Sequence, residues 1–266
     1  MRATQEQKAA AFRALHEGPP FVIPNPWDAG SARVLEALGF RALATTSSGF
    51  AFTLGRLDGG VTLEEVVRHV ETLVGATDLP VSVDLENGYG AEPAAAAEAV
   101  RRVAEAGAVG GSIEDYDPSG HIYDRGAAAE RVAAASEVAH GLPFPFMLTA
   151  RAENHIRGNP DLDDTLDRLR AYEAAGADVL YAPGLRSIPD IRAVCEAVSR
   201  PVNVLAFAAS SVAELAQAGA QRISVGGGLA WVAVRALEAA ATAIRDRGDL
   251  SVLTGSPPLD EWFGAR

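Results

Sequence analysis

Three times along this chain the triplet Ala-Gly-Ala stands just before an apolar run, at Ala106-Gly107-Ala108, Ala175-Gly176-Ala177 and Ala218-Gly219-Ala220. Leu38-Gly39-Phe40 fills the same place before a further run. Each glycine falls where a helical pattern stops, the position that favours a left-handed residue. The apolar runs span 21–25, 42–46, 81–86, 110–115, 146–151, 179–182, 202–207 and 222–226. Between them, segments such as 62–70 and 164–172 carry apolar residues three or four positions apart, as on one face of a helix. Strand–helix alternation implies a parallel sheet with crossover helices. Eight runs with ring-like repetition predict a (β/α)₈ TIM barrel; an open doubly wound sheet is the alternative.

The 266 residues suit one barrel domain, 1–266, with no interdomain linker. Gly255-Ser-Pro-Pro258 breaks the chain after the last long helical pattern, which makes 249–266 a C-terminal extension. Its Trp262 and Phe263 are large apolar groups that need a surface to pack on, and a partner subunit is the expected one. The net charge of −12 and the single lysine, Lys8, argue against a nucleic-acid partner. No run approaches the ~20 apolar residues of a membrane span, and the first residues lack the apolar stretch of a signal peptide, so a cytoplasmic protein is expected. The one cysteine, Cys195, excludes an intrachain disulfide and lies on the apolar side of a helical pattern, where it reads as packing.

Two neighbouring runs end in acid: Val81-Ser-Val-Asp84-Leu-Glu86 and Gly110-Gly-Ser-Ile-Glu114-Asp115. An unpaired charge on a buried strand is costly. In a barrel the C-terminal strand ends form one rim, where side chains converge. Oxygen donors gathered there suit a hard cation, so Asp58, Asp84, Glu86 and Glu114 form a patch able to hold Mg²⁺, with Mn²⁺ the alternative. Asp58, in Leu57-Asp-Gly-Gly60, also fits an ordinary turn. Arg151 ends the fifth run as a planar donor for a carboxylate or phosphonate; pairing with Glu114 or Glu153 is its other reading. Ser48-Gly49-Phe50 can present backbone N–H groups to an anion. Gly226-Gly-Gly228 reads either as a phosphate-binding helix start or as a tight turn. Asp161, Asp163, Asp164 and Asp167 open a helix and complement its positive end.

These pieces resemble the isocitrate lyase/phosphoenolpyruvate mutase superfamily. The resemblance runs from about Pro24 to Arg235. It rests on Ser48-Gly49-Phe50 with Leu54-Gly55 and Asp58, on Asp84-Leu-Glu86-Asn-Gly-Tyr-Gly90, on Gly107-Ala-Val-Gly-Gly-Ser-Ile-Glu114-Asp115, and on Thr149-Ala-Arg151. It implies a Mg²⁺-dependent (β/α)₈ barrel acting on a small 2-oxo acid or a phosphonate analogue through an enolate. By the same resemblance Asp84 is the direct metal ligand, and Asp58, Glu86 and Glu114 hold metal-bound waters. Ser48, Gly49, Phe50 and Asp84 bind substrate, Arg151 binds its other anionic group, and Asn203 matches a strand-seven asparagine of lyase members. Members are usually tetramers, dimers of dimers with C-terminal helices exchanged between subunits.

The chain departs from the family at two places. Glu86 stands where aspartate is frequent. The loop after Glu114-Asp115 reads Tyr116-Asp-Pro-Ser-Gly-His-Ile-Tyr-Asp-Arg125, without the cysteine of the lyases or the lysine and asparagine of the mutases. Cysteine-dependent (methyl)isocitrate cleavage is therefore not expected. His121 and Tyr123 are what this loop offers, either as proton carriers or as packing for a closed loop. A Mg²⁺-dependent carbon–carbon lyase or decarboxylase is the expectation. A binding protein without turnover and a C–C or P–C hydrolase or phosphonomutase are its alternatives.

Overall fold

The structure is a computed structural model and describes residues 2–264. Helix α1 (Gln5–Glu17) leads into β1 (Phe21–Ile23), α2 (Ala29–Ala37), β2 (Leu43–Ala44), α3 (Ser47–Thr53), α4 (Leu63–Ala76), β3 (Val81–Asp84), α5 (Pro93–Glu105) and β4 (Gly110–Glu114). A small hairpin follows, β5 (Tyr116–Asp117) and β6 (His121–Ile122). The second half runs α6 (Arg125–Gly141), β7 (Met147–Arg151), α7 (Leu162–Ala174), β8 (Val179–Tyr181), α8 (Ile188–Ala197), β9 (Val202–Leu205), α9 (Val212–Gln217), β10 (Arg222–Ser224), α10 (Gly228–Arg247) and α11 (Leu259–Phe263).

Eight parallel strands form one sheet in the order β1-β10-β9-β8-β7-β4-β3-β2. The Ala44 N–H donates to Pro24 O at 3.1 Å and draws the two end strands together, so the sheet is a nearly closed (β/α)₈ barrel. All eight predicted runs contain a barrel strand. The hairpin β5–β6 and the plug helix α1 lie outside that reading.

The glycines of the repeat sit at helix ends, with φ of +102° at Gly107, +98° at Gly176 and +107° at Gly219. A backbone turned this way is open to glycine at no steric cost. Each returns the chain from a helix to the next strand within two or three residues.

Register decides what faces inward. Paired residues in a parallel sheet share a face, and successive residues alternate. Val83, Ile113, Leu148, Leu180, Val204 and Ile223 face the helices and are buried there. The opposite face is mostly polar above an apolar floor. One unbroken line of register partners runs Glu114–Arg151–Tyr181–Asn203–Arg222–Phe21 across six strands. Because the strands are staggered around the barrel, this line descends from the rim at Glu114 to the floor at Phe21.

The bottom is shut by α1. Phe12 packs with Phe21, Ile23, Met147 and Val179 in a separate apolar cluster under the barrel. Gln5 Nε2 donates to the carbonyls of Ala104 and Ala108, and Lys8 Nζ to that of Thr77. The open top is where a site can form. At the other end of the chain, α11 lies on α2 of the same chain. There Arg33 donates to Phe263 O at 2.7 Å and its guanidinium stands 4.8 Å from the Phe263 ring centre. The C-terminal extension thus has a packing surface within its own chain.

Candidate active site

Arg151 is the hub of the rim. It ends β7, is register partner of Glu114 and Tyr181, and reaches three carboxylates: Asp84 Oδ1 at 2.8 Å, Glu114 Oε2 at 2.9 Å and Glu153 Oε1 at 2.7 Å. These acids hold the guanidinium charged against the cost of burial. Arg157 adds a second cation, 3.5 Å from Glu114 and 3.3 Å from Glu153, and lies 3.6 Å over the Tyr116 ring. Asp115 has a different job. Its carboxylate accepts from the Glu153 N–H at 2.8 Å, from Arg168 at 3.0 Å and from the Tyr172 hydroxyl, which anchors the chain behind the rim.

Asp84 is placed by its backbone N–H, which donates to Thr45 Oγ1 at 2.8 Å. Glu86 follows on a left-handed residue, φ +47°, a conformation that turns the chain back over the strand end. Its N–H donates to Asp84 Oδ1 at 3.3 Å. Burial, then Asp84 and Asp58, push the Glu86 carboxyl up to about 7. Burial pushes Glu114 well above the usual carboxylate range, with Glu153 and Asp84 adding and Arg151 opposing. The rim therefore holds more negative charge than its two arginines neutralise.

Two connected cavities result. One, of about 170 Å³, descends into the barrel between Asp84, Arg151, Tyr181, Asn203, Arg222 and Ser224. The other, of about 380 Å³, opens over Asp58, Glu86, Glu114 and Arg157. Ser47, Asp58, Arg151 and Ile156 line both. Gly226 and Gly227 turn the chain at the wall of the inner cavity, and a Cβ on Gly227 would lie 2.8 Å from Ser48 Oγ. The three glycines form a tight turn that lets α3 and α10 approach.

The structure gathers Asp58, Asp84, Glu86, Glu114, Arg151, Ser48 and Asn203 around these cavities. It places four predicted residues elsewhere. Gly49 N–H is turned to Thr46 Oγ1 at 3.3 Å and Phe50 N–H to Thr46 O at 3.0 Å, since Thr46 caps α3. The Phe50 ring stacks on His69, 3.8 Å between centres, away from the cavity. Tyr123 is buried beside the hairpin, its hydroxyl donating to Asp117 at 2.7 Å and accepting from Asn87 at 3.2 Å. His121 is exposed on the hairpin, 3.0 Å from Ser119 Oγ. Of the two readings of these loop residues, packing and proton transfer, the geometry gives Tyr123 to the loop's own structure and leaves His121 facing solvent. Cys195 is half-buried at the end of α8, and burial pushes its thiol up to about 11, an inert state.

Sequence reasoning passed over Tyr181 and Arg222. Both sit in short apolar runs, and only the register shows that they point inward. The signal that was present is an arginine opening a buried strand.

Among the described residues no three acidic, histidine or cysteine side chains stand as a ready-made metal cage. Arg151 takes the place beside Asp84 that a cation would take. The donor set nevertheless fits a hard divalent cation. It is all carboxylate, and it carries carboxyls raised by burial and then by neighbouring acids, whose charge such a cation offsets.

Residues 12–245 match the family model described as phosphoenolpyruvate phosphomutase. A solved structure from Burkholderia cenocepacia, described as a candidate lyase/mutase, superposes with TM-score 0.94 at 51% identity, covering 98% of each chain. The 2-methylisocitrate lyase of Halalkalibacterium halodurans is 30% identical over 92% of this chain and 84% of its own length. The oxaloacetate decarboxylase of Rhodopseudomonas palustris is 29% identical over 93% of this chain and 88% of its own.

Proposed function

The chain belongs to the phosphoenolpyruvate phosphomutase family, within the isocitrate lyase/phosphoenolpyruvate mutase superfamily, and from that premise we propose that it is a Mg²⁺-dependent carbon–carbon lyase or decarboxylase acting on a small 2-oxo acid. The observation that carries the reading is the meeting of Arg151 with Asp84 and Glu114 at the open end of the barrel, one anion-binding fork amid cation-binding oxygens. Relatives that cleave a carbon–carbon bond or decarboxylate oxaloacetate support it.

Asp84 would hold the cation, with Glu86, Glu114 and Asp58 bonding waters around it. When bound, the cation supplies Lewis-acid polarisation of the 2-oxo group. Arg151 binds a substrate carboxylate through two parallel N–H donors, and its charge offsets the negative charge that grows as the neighbouring bond breaks. Ser47 and Ser48 line the opposite wall, and Asn203 and Ser224 offer donors below. The inner cavity is small, about 170 Å³, so a bound substrate displaces most of its water and each of these interactions strengthens. We also propose that the working form is a homo-oligomer, a dimer of dimers.

The exposed His121 and the occupied Tyr123 hydroxyl favour a second reading, binding without turnover. Both readings are tested by melting the protein with and without Mg²⁺ against oxaloacetate, 2-oxoglutarate, pyruvate, phosphonopyruvate and methylisocitrate, followed by turnover of whichever ligand stabilises it. The expected result is a Mg²⁺-dependent shift and product release, both lost in Asp84→Ala. Stabilisation without turnover selects the binding reading. Turnover retained in Asp84→Ala overturns the site.

A further inference from the structure

The cavity floor holds a charge that no acid answers. Arg222 is 5% exposed and lines the inner cavity. Its Nε donates to Asn203 Oδ1 at 2.8 Å, its Nη2 to Thr149 Oγ1 at 2.9 Å, and its Nη1 lies 3.3 Å from His16 Nε2. All three are neutral. His16 Nδ1 stands 2.8 Å from the Phe12 carbonyl, which can only accept, so Nδ1 carries the proton and Nε2 accepts from Arg222. His16 is itself buried and held neutral, with its pKa near 3, by burial and by Arg222. No carboxylate among the described residues pairs with Arg222, and burial draws its pKa down to about 10 with only Tyr181 opposing.

Arg151, three strands away on the same register line, is surrounded by carboxylates. The pocket is thus acidic at the rim and cationic at the floor. A buried, uncompensated charge is unfavourable unless a counter-charge arrives. Arg131 shows the structural alternative: it too is buried, but it donates to the carbonyls of Ala91 and Asn87 and lies away from the inner cavity. Arg222 does something further. By occupying Asn203 Oδ1 it fixes the amide, so that Nδ2 donates, at present to Ser224 Oγ at 3.0 Å on the cavity wall.

We propose that Arg222 is a specificity-determining and positioning residue: it turns the Asn203 amide donor into the cavity and supplies the counter-charge for a second, distal carboxylate, so that 2-oxo dicarboxylates are preferred to 2-oxo monocarboxylates. This rests on the 2-oxo acid reading above.

The test compares oxaloacetate and 2-oxoglutarate with pyruvate and 2-oxobutyrate, all with Mg²⁺, by affinity from thermal shift and by kcat/KM where there is turnover. Arg222→Gln removes the charge. Thr149→Asp, close to threonine in shape, keeps Arg222 and gives it a carboxylate from outside the cavity lining, so it decides the matter if Arg222→Gln does not fold. Arg222→Lys keeps the charge. The dicarboxylate preference should fall by about thirtyfold or more in Arg222→Gln and Thr149→Asp and by less than about threefold in Arg222→Lys. A merely structural role would weaken both ligand classes alike and leave the preference unchanged, which overturns the assignment. Wild-type protein that binds 2-oxo acids without favouring dicarboxylates overturns the Arg222 assignment alone. Wild-type protein that binds none of the four overturns the parent reading, and this one with it.

Discussion

Arg151 Nη1 donates to Asp84 Oδ1 at 2.8 Å, so the proposed anion ligand and the proposed cation ligand are bonded to each other. Neither can engage its own partner fully without releasing the other. Whichever ligand arrives first meets the cost of separating the pair, and the second does not. Binding of Mg²⁺ and of the substrate anion should therefore be positively coupled. Titrating Mg²⁺ by calorimetry with and without oxalate, a small dicarboxylate, should show a Kd at least about fivefold lower when oxalate is present. In Arg151→Met, where no pair needs separating, the coupling should weaken to what the direct attraction of cation and anion supplies, while Mg²⁺ alone binds more tightly.

The helix-end glycines make a prediction about stability. A Cβ on Gly107 would lie 2.8 Å from Val74 Cγ1, and one on Gly219 would lie 2.7 Å from Cys195 Cβ, in addition to the left-handed backbone at both. Gly39 has φ +86° and open space around it. Gly39→Ala should cost about 1 kcal/mol for backbone strain alone, and Gly107→Ala and Gly219→Ala about 2–4 kcal/mol, since packing must also shift. Urea denaturation orders the three; equal costs would mean that packing contributes nothing.

That repeat was legible because one physical demand, a left-handed exit from each helix, recurs around the ring. Asp84, Glu114 and Arg151 were legible for a related reason: charge at the end of a buried strand stands out against apolar neighbours. Tyr123 was not, because its role depends on a hairpin with two residues per strand, too short for any period to show. The sequence offers the N–H groups of Gly49 and Phe50 to a ligand because the apolar run carries through Thr46, whereas Thr46 caps α3 and consumes the Gly49 N–H with its own hydroxyl. Arg222 looked like an ordinary strand start. Its meaning comes from Asn203, nineteen positions earlier and opposite it in register.

Two buried histidines contribute to the acid limb of stability. Burial holds His16 at about 3 and His69 at about 4, against 6.5 for an ordinary histidine. The folded state therefore keeps both neutral where the unfolded chain protonates them. At these two sites the unfolded state binds more protons below pH 6.5, so the stability they contribute is full above that value and falls as pH drops toward 4; the raised carboxyls of Glu86 and Glu114, which take up protons in the folded state over the same range, act in the opposite direction. Each group contributes a slope of about 1.4 kcal/mol per pH unit. His16→Gln retains an acceptor for Arg222 but cannot titrate. Its stability should fall less steeply on acidification, by about 1.4 kcal/mol per pH unit, in urea melts across this range. An unchanged slope would place His16 in contact with solvent.

Helix α10 makes a prediction about assembly. It is twenty residues long, yet only Ala230 and Ala243 are buried. Its exposed side chains include Val232 at 55% and Leu237 at 65%, and Leu250 and Leu253 in the segment that follows are exposed at 64% and 67%. Apolar area left open along one helix and its continuation marks a contact surface. The symmetric solution is a second copy presenting the same face. Light scattering should find an oligomer for the wild-type chain, and Leu237→Glu combined with Val232→Glu should shift it toward monomer by placing two like charges in an apolar contact. Both side chains already face solvent within the chain, so the doubly substituted monomer should keep its circular dichroism spectrum. A wild-type monomer, or an oligomer indifferent to both glutamates, would mean that this face has another use.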